Sequence, residues 1–507
     1  MRTKRYIALT ISLLLSVTLL TSMLKATEIK VDASAFSKED TVVLRVCNWE
    51  EYIDEGEWEE DELIELEDCD IFGENPLYED FQDWYYEKTG KRVIVEYSCF
   101  GTNEELYNML TIGDVYDLVC PSDYMIMKLM SEDALVPYSD EFFDESNPEN
   151  YYINGVSGFI RDEFENSEIN GEPWSKYAAG YMWGVTGMLY NPDEVAPEDV
   201  ATWQIINNPD YARQVTVKDN VRDTMFAAMG AIKSELLKSD DFKALPDYRN
   251  RLKSEMNDVS EETIARLQEY LQDTKDNAYS FESDSGKADM ITGKVLANLQ
   301  WSGDAVYAMD QAEEDDYYLE YSVPEECTNL WFDGWVMLKN GIEEDPEKQA
   351  AAEAFVNFLS MPENAVRNMY YIGYTSVISG GDSDIVFEYV DYTYSADPEE
   401  EDPEDLVEYP VGFYFSGDNE DENYVILTTE DQTRRQLFAQ YPTQEVIDRS
   451  AVMWYFDKEA NANVNQMWIN IRCLNVKDIP VWAWIIGGLV FAGLICMLVR
   501  SKIKNKK

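Results

Sequence analysis

The sequence predicts an α/β protein of two lobes, and three observations carry that prediction. At 507 residues the chain is long for one domain and comfortable for two. Its first third alternates apolar, β-branched runs with helix-patterned segments, and strand–helix–strand–helix–strand order builds a right-handed parallel sheet. Two further apolar runs, Tyr181 to Tyr190 and Trp331 to Leu338, carry glycines and stand where the chain would cross into a second lobe and return.

The opening strand, Val42 to Cys47, has the composition of a parallel strand buried on both faces, and it stops at Asn48-Trp49-Glu50-Glu51-Tyr52. Open α/β sheets hold ligands just beyond the carboxyl ends of such strands, so Trp49 and Tyr52, beside two carboxylates, stand where a ligand would be met. Taken alone, both are equally well explained as core aromatics. An acidic insert, Asp54 to Glu74, is expected to be a solvated surface segment. Phe81, Trp84, Tyr85 and Lys88 then recur at helical spacing, and Gly90 ends that helix. Val93 to Tyr97 is the second strand, Asn103 is the expected cap of a helix carrying Leu106, Met109 and Leu110, and Asp117 to Cys120 is the third strand. That third strand ends at Pro121-Ser122-Asp123-Tyr124.

Beyond the first crossing, Gln214 to Val217 and Val295 to Gln300 are strands. They end at Lys218-Asp219-Asn220-Val221-Arg222-Asp223 and at Trp301-Ser302-Gly303-Asp304. Ser260 caps a helix with Ile264, Leu267 and Leu271 on one face. Asp345-Pro346 opens another, with Ala351, Phe355 and Phe358 inward. Tyr370 to Tyr374 closes that unit. The segments Asp397 to Glu408 and Asp418 to Asn423 are expected to be acidic loops, and a helical stretch from about Arg434 to Cys473 returns to the body.

Acids outnumber bases 100 to 40, a formal charge of −60. Phosphate backbones require a basic face, so nucleic acid is excluded as a partner; a field of this sign attracts cations. The chain has no histidine, which removes Ser-His-Asp and Cys-His catalysis and His-ligated metals. No enzyme activity, metal or cofactor is expected. No Gly-x-x-x-x-Gly-Lys-Ser/Thr loop is present, so this chain is not expected to hydrolyse ATP. The seven cysteines show no C-x-x-C spacing; Cys47, Cys99 and Cys120 are simplest as buried thiols, with a disulfide among them left open.

Both ends address a membrane. Arg2, Lys4 and Arg5 precede an uncharged run from Tyr6 to Leu24, so 1–27 is a signal peptide or an N-terminal anchor. Ile479 to Val499 carries no charge and is long enough to span a bilayer; the basic tail, 500–507, follows it and faces the cytoplasm. The bulk of the chain is then outside.

One pattern recurs at the strand ends: aromatic and acidic residues fall together. Trp49 with Tyr52, Ser122 with Tyr124, Asp219 with Asp223, Trp301 with Asp304, Trp331 with Asp333, and Tyr374 all follow it. An organic cation requires this chemistry. A protonated amine gains roughly 0.5–2 kcal/mol over a tryptophan face. A charge-assisted hydrogen bond adds about 1.5–3 kcal/mol. Singly, each pair is more often structural; six coincidences favour a site.

Several segments together resemble the extracytoplasmic polyamine-binding proteins of spermidine/putrescine ABC importers. They are Asn48-Trp49-Glu50-Glu51-Tyr52, Tyr116 to Tyr124, Trp183-Gly184-Val185-Thr186-Gly187, Asp219 to Asp223, Trp301-Ser302-Gly303-Asp304, Trp331-Phe332-Asp333 and Ile372-Gly373-Tyr374. The resemblance implies a bilobal type II periplasmic-binding-protein fold, two α/β lobes joined by a hinge with the ligand between them. Lobe 1 would comprise 42–178 and 332–425, and lobe 2 would comprise 179–331 and 426–475. It also implies that Trp49, Tyr52, Trp301 and Trp331 form an aromatic box. Ser122 and Tyr124 would supply hydroxyls, Asp223 and Asp333 would bind ammonium groups, and Tyr374 would line the cleft. Asp304 resembles its counterpart in putrescine-preferring members. Asn220 stands where spermidine binders carry a second acid, and the family's C-terminal glutamine has no counterpart near Met453. The implied partners are putrescine or spermidine, ABC permease subunits and the membrane. The alternatives are the same fold binding an amino acid through Arg222 or ferric ion through Tyr370 and Tyr371, and a carboxylate-dependent surface hydrolase.

Overall fold

A computed structural model describes residues 41–67, 69–396 and 406–473 of the chain. In chain order the elements that build the site are β1 (Thr41–Trp49), α1 (Leu77–Thr89), β2 (Arg92–Phe100), α2 (Asn103–Ile112), β3 (Leu118–Val119) and α3 (Asp123–Ser131). Next come β4 (Ala178–Tyr190), β5 (Val215–Lys218), α4 (Val221–Ile232), α5 (Glu261–Asn277), β6 (Ser280–Glu282), β7 (Ala297–Trp301) and α6 (Ser302–Glu313). The rest are β8 (Thr328–Leu338), α7 (Pro346–Leu359), α8 (Pro362–Ile372) and α9 (Lys458–Cys473).

These strands lie in the order β6-β5-β7-β4-β8-β3-β1-β2. β1 runs parallel to both β2 and β3, and β5 runs parallel to both β6 and β7. Between the two parallel groups lie β4 and β8, antiparallel to one another and buried at every position. Each serves both sides. β4 pairs with β7 through Thr186 and Trp301, and β8 pairs with β3 through Val336 and Val119. The register between β4 and β8 shifts at Asp333/Gly334. Bulges of this kind re-aim the side chains beside them. The architecture is the bilobal α/β fold expected, and the two glycine-bearing runs form β4 and β8.

Local chemistry explains the helices. Gly90 closes α1 with φ +71°, a left-handed conformation that a Cβ would strain. Ser260 and Asp345 cap α5 and α7 through their side chains, with Pro346 in the first turn. At α2 the cap is Thr102, which accepts from the Glu105 amide, and not Asn103; Asn103 is turned inward to other partners.

Further expectations are corrected. The acidic insert is anchored rather than merely solvated: Asp54, Trp58, Ile64 and Ile71 are buried, and Arg367 donates to Asp54 at 2.7 Å and to Asp80 at 2.8 Å. The stretch after Arg434 is not one helix. Pro442 interrupts it, and Ser450–Ala451 pairs with Thr328 and Asn329 of β8 before α9 begins. Of the expected loop Asp397 to Glu408, residues 397–405 lie outside the described residues, and Leu406–Pro410 is a strand paired with Val425–Thr429. Among the described residues Cys47 and Cys120 are buried free thiols as expected, whereas Cys99, also a free thiol, is exposed rather than buried. The expected membrane segments, 1–27 and 479–499, and the basic tail also lie outside the described residues. Among the described residues, no helix is long and apolar enough to cross a membrane.

Candidate functional site

The carboxyl ends of β1, β3, β5 and β7 converge where β4 and β8 cross, and α3, α4 and α6 begin there. Helix N-termini carry partial positive charge, which favours acids in their first turns. Asp123, Asp223 and Asp304 occupy those turns. Asn220 starts α4 by accepting from the Arg222 amide at 2.7 Å, which orients Asp223 one residue further on.

Asp333 lies at the centre, on β8 at the bulge and only 6% exposed. Tyr52 donates its hydroxyl to Asp333 Oδ2 at 2.8 Å. The other oxygen, Oδ1, is buried and makes no hydrogen bond among the described residues. Buried polar atoms are nearly always paired, so this oxygen has the character of half a contact. Burial raises the Asp333 pKa to about 6, the hydroxyls of Ser122 and Tyr52 draw it down, and Asp223 pushes it up. Asp223 is likewise raised to about 6 by burial, with the Trp301 indole and Lys218 opposing.

The rings enclose this pair. Tyr374 meets Tyr52 edge-on at 5.2 Å and Trp331 edge-on at 5.6 Å, and Tyr181 packs against Tyr52 at 5.6 Å. The Trp331 indole N–H is buried without a partner among the described residues. Gly184 permits its approach, since a Cβ there would come within 2.6 Å of Trp331 Cζ2. Gly303 does the same for the Tyr374 ring, whose hydroxyl donates to Asp304 at 3.0 Å.

Ser122 and Tyr124 sit on a polar rim. Asn103 donates to both hydroxyl oxygens at 3.1 Å, and Tyr124 donates to Glu104 at 3.2 Å. Tyr52, Ser122, Tyr124, Asp223, Trp301, Asp304, Trp331, Asp333 and Tyr374 therefore form one connected cluster. Trp49 stands at its margin, at the end of β1, with its ring 4.7 Å from Phe100 and its indole N–H buried without a partner among the described residues. Asp219 leaves the cluster, pairing at 2.7 Å with Arg472 of α9.

Several residues at the site were not among the expected ligands. Asp123 is buried and accepts from the amides of Tyr124 and Phe332; burial holds its carboxyl well above the usual range. Lys218, the wholly buried last residue of β5, places its ammonium 4.3 Å from the Trp301 ring centre. Arg222 is occupied: it donates to the Trp454 carbonyl at 2.6 Å and lies between the Tyr124 and Phe456 rings. Position at a strand end was the one clue available for Lys218. The surface groove lined by Lys233, Glu255, Asp258 and Arg266 is separate, and its lysine is held by Glu255 and Asp258.

Residues 77–388 match the bacterial extracellular solute-binding protein family. The chain belongs to that family. As a solute-binding protein it serves transport rather than catalysis, and the bulk of the chain is extracytoplasmic. Its curated relatives include the spermidine/putrescine-binding periplasmic protein of Salmonella typhimurium, 24% identical over 354 residues, which are 69% of this chain and 82% of the relative. The putrescine-binding periplasmic protein SpuD of Pseudomonas aeruginosa is 25% identical, over 64% of this chain and 75% of the relative. Among solved structures, the spermidine/putrescine ABC transporter substrate-binding protein PotD from Streptococcus pneumoniae has a TM-score of 0.53 at 22% identity, covering 85% of this chain and 98% of that one. The Tp0655 lipoprotein of Treponema pallidum has a TM-score of 0.52 at 17% identity, covering 85% and 99%. These likenesses establish the fold of the solute-binding protein.

Proposed function

We propose that this chain captures an aliphatic polyamine, putrescine or spermidine, in the cleft between its lobes and presents it to an ABC permease. The observation that carries the reading is the unpartnered Oδ1 of Asp333, buried among Tyr52, Trp331 and Tyr374 with a second buried acid, Asp223, nearby. A buried carboxylate oxygen without a donor calls for a cation, and aromatic walls suit both an ammonium and its methylenes. The proposed ligand set is Trp49, Tyr52, Ser122, Tyr124, Asp223, Trp301, Asp304, Trp331, Asp333 and Tyr374. The names of the curated relatives support the same solute class.

On this reading lobe 1 comprises 42–178 and 332–425, and lobe 2 comprises 179–331 and 426–475. Closure is a hinge motion of one lobe against the other. The apolar run 479–499 tethers the protein to the membrane beside its permease. The amino-acid alternative is disfavoured because Arg222 is already engaged with the Trp454 carbonyl and two rings. The ferric alternative is disfavoured because Tyr370 and Tyr371 are exposed on α8, with Tyr370 packed on Trp58.

Calorimetric titration of the full chain with putrescine, spermidine, an amino acid and ferric iron tests the proposal. Saturable binding of a polyamine, weakened at least about tenfold by Trp301→Ala, is the expected result. Tight binding of another solute with no heat from either polyamine would overturn it.

A further inference from the structure

Resting on the polyamine reading, we infer that Lys218 is a specificity-determining residue whose ammonium permanently fills one cation seat, so that the site takes a diamine in preference to a triamine.

The Lys218 ammonium has the surroundings that a ligand ammonium would seek. It stands 4.3 Å from the Trp301 ring centre, 3.3 Å from Glu282 Oε1 and 4.0 Å from Asp304 Oδ2. Its residue is 0% exposed, and the ammonium makes no hydrogen bond among the described residues. An ammonium offers three donors, and a lysine serving only to brace the fold would spend them in hydrogen bonds. Here the ammonium lies against two carboxylates and an indole face without a hydrogen bond among the described residues.

This end of the cleft already holds cations. Glu282 and Asp304 face the Lys218 ammonium, and Lys287 stands 3.6 Å from Asp304 Oδ1 and 3.0 Å from the exposed Asp284. Asp304 also accepts from the Tyr374 hydroxyl at 3.0 Å. At the other end, Asp333 retains a buried oxygen without a partner, and Asp223 lies close enough to repel it. Asp123 being satisfied by the Tyr124 and Phe332 amides, Asp333 and Asp223 are the carboxylates left for two ammonium groups. A third ammonium, extended towards Trp301, would meet Lys218 in a buried setting where like charges repel strongly and salt screens little. Asp304, which the motif presents as a ligand acid, acts on this view through the lysines: it holds the resident cations in place.

The test is calorimetric titration of the full chain with a four-carbon diamine and with a triamine that extends it by an aminopropyl group. The wild-type protein is expected to prefer the diamine, and Lys218→Met to shift the affinity ratio towards the triamine by about tenfold or more as Glu282 and Asp304 accept the third ammonium. Lys218→Met leaves Glu282 buried without its cation, so the double variant Lys218→Met/Glu282→Gln, which keeps the local charge unchanged, guards against a folding failure. It should shift the ratio in the same direction by a smaller factor. Diamine binding by the wild type with an unmoved ratio in the folded variants would overturn the inference and leave the polyamine reading intact. Wild-type protein that binds neither amine would overturn both.

Discussion

Asp333→Asn is the substitution whose two consequences run in opposite directions. Asparagine preserves the size of the side chain and an oxygen that can accept from Tyr52, but it removes the charge. In the empty protein that charge is a burden: burial raises the carboxyl from 3.8 to about 6. A difference of about two pH units is worth about 3 kcal/mol at neutral pH, at about 1.36 kcal/mol per unit. The sign follows from the direction of the shift. Because the folded-state value lies above the unfolded one, the folded protein binds the extra proton between about pH 4 and about pH 6, so the ionised group opposes folding above that window. The variant without ligand should therefore be more stable than wild type near pH 7, by up to about 3 kcal/mol, and the advantage should vanish as pH falls to about 4.

With ligand the order reverses. Removing one member of a buried charge pair lowers affinity by about 2–5 kcal/mol, so the dissociation constant should rise roughly 30-fold to several-thousand-fold. Denaturant unfolding at several pH values measures the first effect, and calorimetric titration with putrescine measures the second. A variant that loses stability at neutral pH and binds as tightly as wild type would refute the assignment of Asp333 as a ligand carboxylate stored in an unfavourable setting.

Three further outcomes follow from the same geometry. As pH falls through about 6, Asp333 and Asp223 take up protons in the empty site, so polyamine affinity should drop by up to about tenfold per pH unit for each carboxylate; a flat calorimetric profile between about pH 5 and about pH 8 would contradict this. Gly184→Ala should push Trp331 off its seat, with about 1–3 kcal/mol of destabilisation and weaker binding, read by thermal unfolding and titration. Arg367→Met should cost about 3–5 kcal/mol in stability by leaving Asp54 buried without its cation, while affinity per folded molecule stays unchanged; denaturant midpoints and active-site titration separate the two.

Much of the site is legible in the chain because its residues attach to local features. Trp301, Asp304, Asp223, Ser122 and Tyr124 all sit at the end of a strand or in the first turn of the helix that follows, where apolar periodicity stops and capping residues begin. Such boundaries are written in short stretches of sequence. The same locality explains the misplacements. Thr102 and Asn103 are both competent caps, and only the position of Ser122 and Tyr124 gives Asn103 another task. Acidic composition predicted a solvated insert, and a single arginine about three hundred residues away anchors it.

From sequence alone came the identity of the chemistry: many rings and acids, no histidine, and strand ends at which to gather them. Only the folded chain decided which acids are free. Asp219 is paired with Arg472, Asp304 is flanked by two lysines, and Asp333 keeps an oxygen for something else. The energy of a charge depends on its distance through space to other charges and on its separation from water, and neither quantity is carried by order along a chain.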